Sequence, residues 1–88
     1  LLEFINQPVN VEVRVQSDGS IQPLAFLYHG RRFQIENWGR DTEETLAGRD
    51  LHCYLVQSPG PETWELCQDK KTAQWTLRRH WADTSRAV

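Results

Sequence analysis

Eighty-eight residues leave room for one small domain, and a domain of this size buries only roughly 60–65% of the surface its unfolded chain exposes. Its four Trp, three Phe and two Tyr are therefore core candidates before they are ligand-binders. A net charge of −2 excludes a general attraction to nucleic acid or to an anionic membrane and leaves room only for a local basic patch.

Residues 1–8 read as an apolar leader, with Leu1, Leu2, Phe4 and Ile5 docking on the domain or on a partner. A single β domain is expected over 9–81 and a polar tail over 82–88. Val9, Val11, Val13 and Val15 alternate with polar residues, the period of a half-buried strand. Asp18-Gly19 predicts a hairpin turn to a second strand, Ile21 to Tyr28. His29-Gly30 predicts another, because Gly and, less often, His accept positive φ. These turns align Val11/Phe26/Phe33 in one row and Val13/Leu24/Ile35 in a second.

The two turns conflict in parity. A strand residue directs its N–H and C=O to one neighbour only, yet Ser20 and Tyr28 would both have to pair at a turn on opposite sides. A bulge in the middle strand near Pro23, or a longer turn, must absorb one residue.

The third strand is expected from Arg31 to Trp38, ending at Gly39. Residues 39–50 read as a long acidic connection. Asp41 and Glu44 suggest a capping box there, hence at most one short helix near 41–47. Leu51 to Gln57 is apolar on both faces, as in a central strand. Pro59-Gly60-Pro61 breaks the chain. Two last strands, Thr63–Gln68 and Ala73–Trp81, flank Lys70-Lys71. That turn would pair Leu66 with Trp75 and Trp64 with Leu77, with Trp81 on the same face. The fold class is all-β: a six-stranded antiparallel meander curled into a small SH3-like or partly open barrel.

Chemistry is sparse. His29, His52 and His80 have no zinc-ligand spacing, and Cys53 and Cys67 form no Cys-x-x-Cys pair. The expectation is two reduced thiols, with a single disulfide as the alternative that their count permits, and no metal or other cofactor. No nucleophile signature or phosphate-cradling loop is present, so the chain reads as non-catalytic. No segment reads as a signal peptide or as an apolar run long enough to span a bilayer. The expected location is the cytoplasm, without membrane contact. Arg31-Arg32, Lys70-Lys71 and Arg78-Arg79-His80 are the basic clusters, and in a strand each pair splits between two faces. Tyr28, Arg31, Trp38, Arg79, His80 and Trp81 are the candidate contact residues, with His80 the most exposed histidine.

Three stretches follow one another in a familiar order. They are Pro8-Val9-x-Val11-x-Val13 before Asp-Gly, then Phe26-x-x-x-Gly30-Arg31-x-Phe33. The third is Tyr54-x-Val56 with Trp64-Glu65-Leu66, Asp69-Lys70-Lys71 and Trp75-x-Leu77. Together they resemble a small bacterial all-β family of unknown function associated with genes for translesion DNA polymerases. The resemblance implies a DNA-repair or damage-tolerance setting and carries over no site residues. The function expected is a protein-interaction module, with homodimerisation as one form of partnership. The alternatives are single-stranded nucleic-acid binding through the Arg and aromatic residues, and a small enzyme or ligand-binder with an unrecognised pocket.

Overall fold

The computed structural model describes residues 2–60 and 62–81, so the expected polar tail lies outside the described residues. It contains seven strands: β1 (Leu2–Val15), β2 (Ile21–Tyr28), β3 (Arg31–Gln34), β4 (Asn37–Leu46), β5 (Arg49–Ser58), β6 (Glu62–Asp69) and β7 (Trp75–Trp81). They form one antiparallel sheet in the order β3-β2-β1-β7-β6-β5-β4. The all-β, antiparallel reading stands, with seven strands in place of six. The sheet is not closed, because β3 and β4 are its two edges. Among the described residues there is no helix, hence none long and apolar enough to cross a membrane.

The sheet curls over itself through β1. Its first half, expected as a leader, pairs with β7, and its second half pairs with β2. Asn6 sits at φ 52° in the irregularity between Phe4 and Gln7, where β1 bends. Phe26 and Phe33 from one arm thereby meet Val56 and Trp64 from the other, although those strands are not sheet neighbours. Trp64 is 2% exposed. Its ring lies 5.1 Å from Phe26, 4.8 Å from Phe33 and 3.8 Å from the His80 imidazole, and its indole N–H donates to Ser58 Oγ at 2.9 Å.

The central hairpin follows the expected register, with Phe26 opposite Phe33 and Tyr28 opposite Arg31. His29 and Gly30 take φ of 52° and 72°, the backbone of a type I′ turn. A bulge in β2 resolves the parity conflict, and the first turn is also longer than expected. Gly19 N–H donates to Gln16 O and Gln16 N–H to Ser20 O, so the first turn spans three residues. Val13 then faces Pro23 while Glu12 faces Ala25. Leu24 is the extra residue of a bulge beside Pro23, and the expected Val13/Leu24 pair does not form. The Val11/Phe26/Phe33 row does form.

Three expectations fail for related reasons. The third strand stops at Gln34, because the chain changes neighbours there: Ile35 N–H donates to Leu24 O and Glu36 N–H to Gln57 O. The long acidic connection expected over 39–50, with at most one short helix near 41–47, is instead largely strand β4, which returns through Ala47-Gly48 at φ 52° and 77°. Alanine rarely adopts that conformation, so the sequence gives this turn no clear mark. The last hairpin is wider than expected. Asp69 N–H donates to Gln74 O, and Leu66 faces Leu77 while Trp64 faces His80. A bulge at Arg78 then turns Trp81 away from the Trp64 face.

Cys53 and Cys67 face each other across β5 and β6 and form a disulfide. The expected reduced thiols are thereby corrected. Both lie on the face opposite Trp64, where they pack with Leu51.

Asp69 builds the β6–β7 turn. Its Oδ1 accepts the N–H groups of Lys71 at 2.8 Å and Thr72 at 3.1 Å, and its Oδ2 accepts Arg49 Nε at 2.8 Å. The Arg49 bond first, then the two backbone donors, hold its carboxyl down at about 2. An unfolded Asp titrates near about 3.9. The stabilisation is therefore whole above that value and drains away as pH falls toward 2. Urea midpoints measured from about pH 6 to about pH 2 should fall more steeply for the wild type than for Asp69→Asn. Parallel slopes would reject the assignment.

Candidate interaction surface

β4 carries a bulge in an exposed stretch of the sheet. Trp38 pairs with Val56 and Asp41 with Tyr54, leaving Gly39 and Arg40 together opposite Leu55. Such a bulge turns side chains that alternation would separate to the same face. Trp38 and Asp41 both line a groove of about 510 Å³ at the mouth of the curled sheet. Arg40 and Thr42 line a groove of about 560 Å³ on the opposite face. Gly39 and Leu55 belong to both.

The mouth groove has an aromatic and apolar floor from Ile21, Pro23 and Tyr54, while Leu55 turns its side chain to the opposite face, across from Glu65. Trp38 is 42% exposed at its rim. Its indole N–H donates to Pro23 O at 2.7 Å, which fixes the ring before anything binds. His52 Nε2 lies 2.7 Å from Asp41 Oδ2 and its ring stacks on Tyr54 at 4.4 Å. The His52 hydrogen bond holds the Asp41 carboxyl below its ordinary value. Burial, then the charges of Asp41 and Glu43, push the Tyr54 hydroxyl up. His52 and Asp41 form a dyad, but the one serine on the groove, Ser20, has its Oγ committed to Asp18 at 2.6 Å. The groove thus brings a fixed indole, a phenol and a hydrogen-bonded imidazole–carboxylate pair around one cleft.

The opposite groove is built around a buried carboxylate. Glu65 is 7% exposed and accepts Arg79 Nε at 2.6 Å and Nη2 at 2.9 Å. Arg78 Nε lies 3.8 Å from Glu65 and its Nη1 2.8 Å from Glu44. The β7 bulge places both arginines on this face, so the expected split of the pair does not occur. Arg79 sits 5.4 Å from the centre of the Trp81 ring, and Glu65 raises its already high pKa further. Cys53 Sγ, Cys67 Sγ and a Glu65 oxygen lie within 4.8 Å of one another. The sulfurs are bonded to each other and Glu65 to a guanidinium, so this donor set does not fit a metal ion.

Of the six candidate contact residues, Tyr28 and Arg31 pair across the β2–β3 hairpin, and Arg79 and Trp81 share a second surface. Trp38 lies across β4 from them. Arg31 lies at the far hairpin with its guanidinium 4.7 Å from the Phe33 ring centre. Tyr28 packs on the core beside Trp64. His80 is 9% exposed, which corrects its reading as the most exposed histidine. It stacks on Trp64 and its two nitrogens face Glu62 at 2.9 Å and Glu3 at 3.2 Å. Arg40, Asp41, His52, Tyr54 and Glu65 are not among the candidate contact residues, because no local pattern marks a bulge in an exposed strand or a buried ion pair.

This chain matches no protein-family model, no curated protein and no solved structure.

Proposed function

We propose that this chain is a non-catalytic protein-interaction module that seats a segment of a partner protein in the mouth groove, with Trp38 as the anchor. The observation that carries this reading is Trp38 itself: a large exposed ring, pinned by Pro23 O, beside a preformed apolar floor. Preorganised aromatic anchors beside pockets dominate binding energies in protein interfaces. The setting we propose, from the family resemblance, is DNA repair or damage tolerance in a bacterial cytoplasm.

Affinity capture from native cells with wild-type and Trp38→Ala baits tests the reading. The expected result is a partner retained by the wild type and weakened at least about tenfold by the variant, whose far-UV circular dichroism is unchanged. An identical set of captured proteins would overturn it.

Direct binding of single-stranded nucleic acid is the second reading, favoured by Arg40, Arg79 and Trp81 on one face. Against it, Arg32, Arg49, Lys70, Arg78 and Arg79 are each tied to a carboxylate. A salt-sensitive shift of labelled single-stranded DNA, lost in Arg40→Ala/Arg79→Ala, would replace the first reading with this one.

A further inference from the structure

β4 is an edge of the sheet, and its backbone pairs with β5 alone. Nine of its ten residues are exposed, Glu44 being the exception. Proteins usually guard such an edge by shortness or by charges that project from it. Here the carboxylates are drawn back onto the molecule's own sheet. Asp41 goes to His52 at 2.7 Å, Glu43 to Lys70 at 2.7 Å and Glu44 to Arg78 at 2.8 Å.

Hairpin geometry decides which backbone groups are free. The two-residue Ala47-Gly48 turn makes Leu46 and Arg49 a hydrogen-bonded pair. Parity then directs the N–H and C=O of Leu46, Glu44 and Thr42 toward β5. Those of Thr45, Glu43 and Asp41 point away from the sheet.

We propose that β4 is a self-pairing edge, joined antiparallel to β4 of a second copy of this chain about a two-fold axis at Thr42. This register brings the outward-pointing residues Asp41 and Glu43 of the two copies into hydrogen-bonded positions. It also sets Thr42 against its own copy and Arg40 of each chain against Glu44 of the other. Thr–Thr and opposite-charge cross-strand pairs are both favourable. Arg40 has no carboxylate partner among the described residues, so the contact supplies one. Asp41 opposite Glu43 is the unfavourable pairing, and it is softened because His52 and Lys70 already hold those two carboxylates. The join leaves Trp38 unused and touches the mouth groove only through Asp41, so it stands apart from the partner reading above.

Sedimentation equilibrium from about 10 μM to about 1 mM tests it, the range in which a contact of a few hydrogen bonds becomes populated. The expected result is a concentration-dependent dimer. Glu43→Pro removes an outward N–H and no bond to β5, so it should abolish the dimer without altering the circular dichroism of the monomer. Thr42→Lys places two like charges face to face on the axis and should raise the dissociation constant at least about tenfold. Trp38→Ala should leave it unchanged. A monomer at every concentration, or a dimer whose affinity Thr42→Lys leaves intact, overturns the proposal. Should Glu43→Pro fail to fold, Thr42→Lys decides alone.

Discussion

Trp64→Ala should cost this domain a large share of its stability in water near room temperature. Truncating a buried tryptophan costs about 3–5 kcal/mol, and a domain of this size has about 4–13 kcal/mol in all. The cost here belongs at the upper end. Trp64 comes from β6, yet its neighbours Phe26 and Phe33 come from the other arm of the curled sheet and His80 from β7. Removing the ring takes away the contact that folds one arm over the other, and the hole it leaves borders too many strands to collapse. It also strands the Ser58 hydroxyl, which is 3% exposed and accepts the indole N–H. Urea denaturation with near-UV circular dichroism checks this. Trp64→Phe keeps an aromatic wall but loses the indole bond, so it should retain a cooperative transition at a lower midpoint. A Trp64→Ala protein within about 1 kcal/mol of wild type would show that the two arms are held by other means.

Opening the Cys53–Cys67 bond should lower stability by about 3 kcal/mol, the loop-closure value for a loop of about 15 residues. For a domain of this length that corresponds to a fall in Tm of at least about 12 °C. The two cysteines sit directly opposite each other in the β5–β6 register, so the native strands need no rearrangement when the bond opens. The effect is then carried by the freed unfolded chain, and the folded sheet should keep its far-UV spectrum. Reduction by a phosphine and the double variant Cys53→Ala/Cys67→Ala should agree in direction, the variant losing somewhat more because both buried sulfurs go. A reduced protein with an unchanged Tm would show that the bond contributes nothing to the fold.

These two predictions rest on contacts of different legibility. Trp64 as a core residue could be read from composition, since a small domain must bury its aromatic rings. The disulfide could not. The spacing of Cys53 and Cys67 permits a bond, but only the register of β5 on β6 brings the sulfurs together. That register depends on where the break at 59–61 begins and ends.

By itself the sequence determined the local rules. Alternating valines marked β1, positive-φ residues marked the His29-Gly30 turn, and parity required an extra residue near Pro23, where Leu24 is found bulged. Each is a matter of a few neighbouring residues, whose sterics and hydrogen-bond directions act through short spans of chain. Tertiary structure decided the rest. It made an acidic stretch into β4, folded β1 against β7, hid His80 behind Trp64, and set Arg79 beside Trp81 and Trp38 across from them. The physical reason is the two-residue period of a strand. One inserted residue, at Gly39–Arg40 or at Arg78, moves every later side chain to the other face. Whether a strand admits that insertion depends on the partner strand, which can lie far away in the sequence.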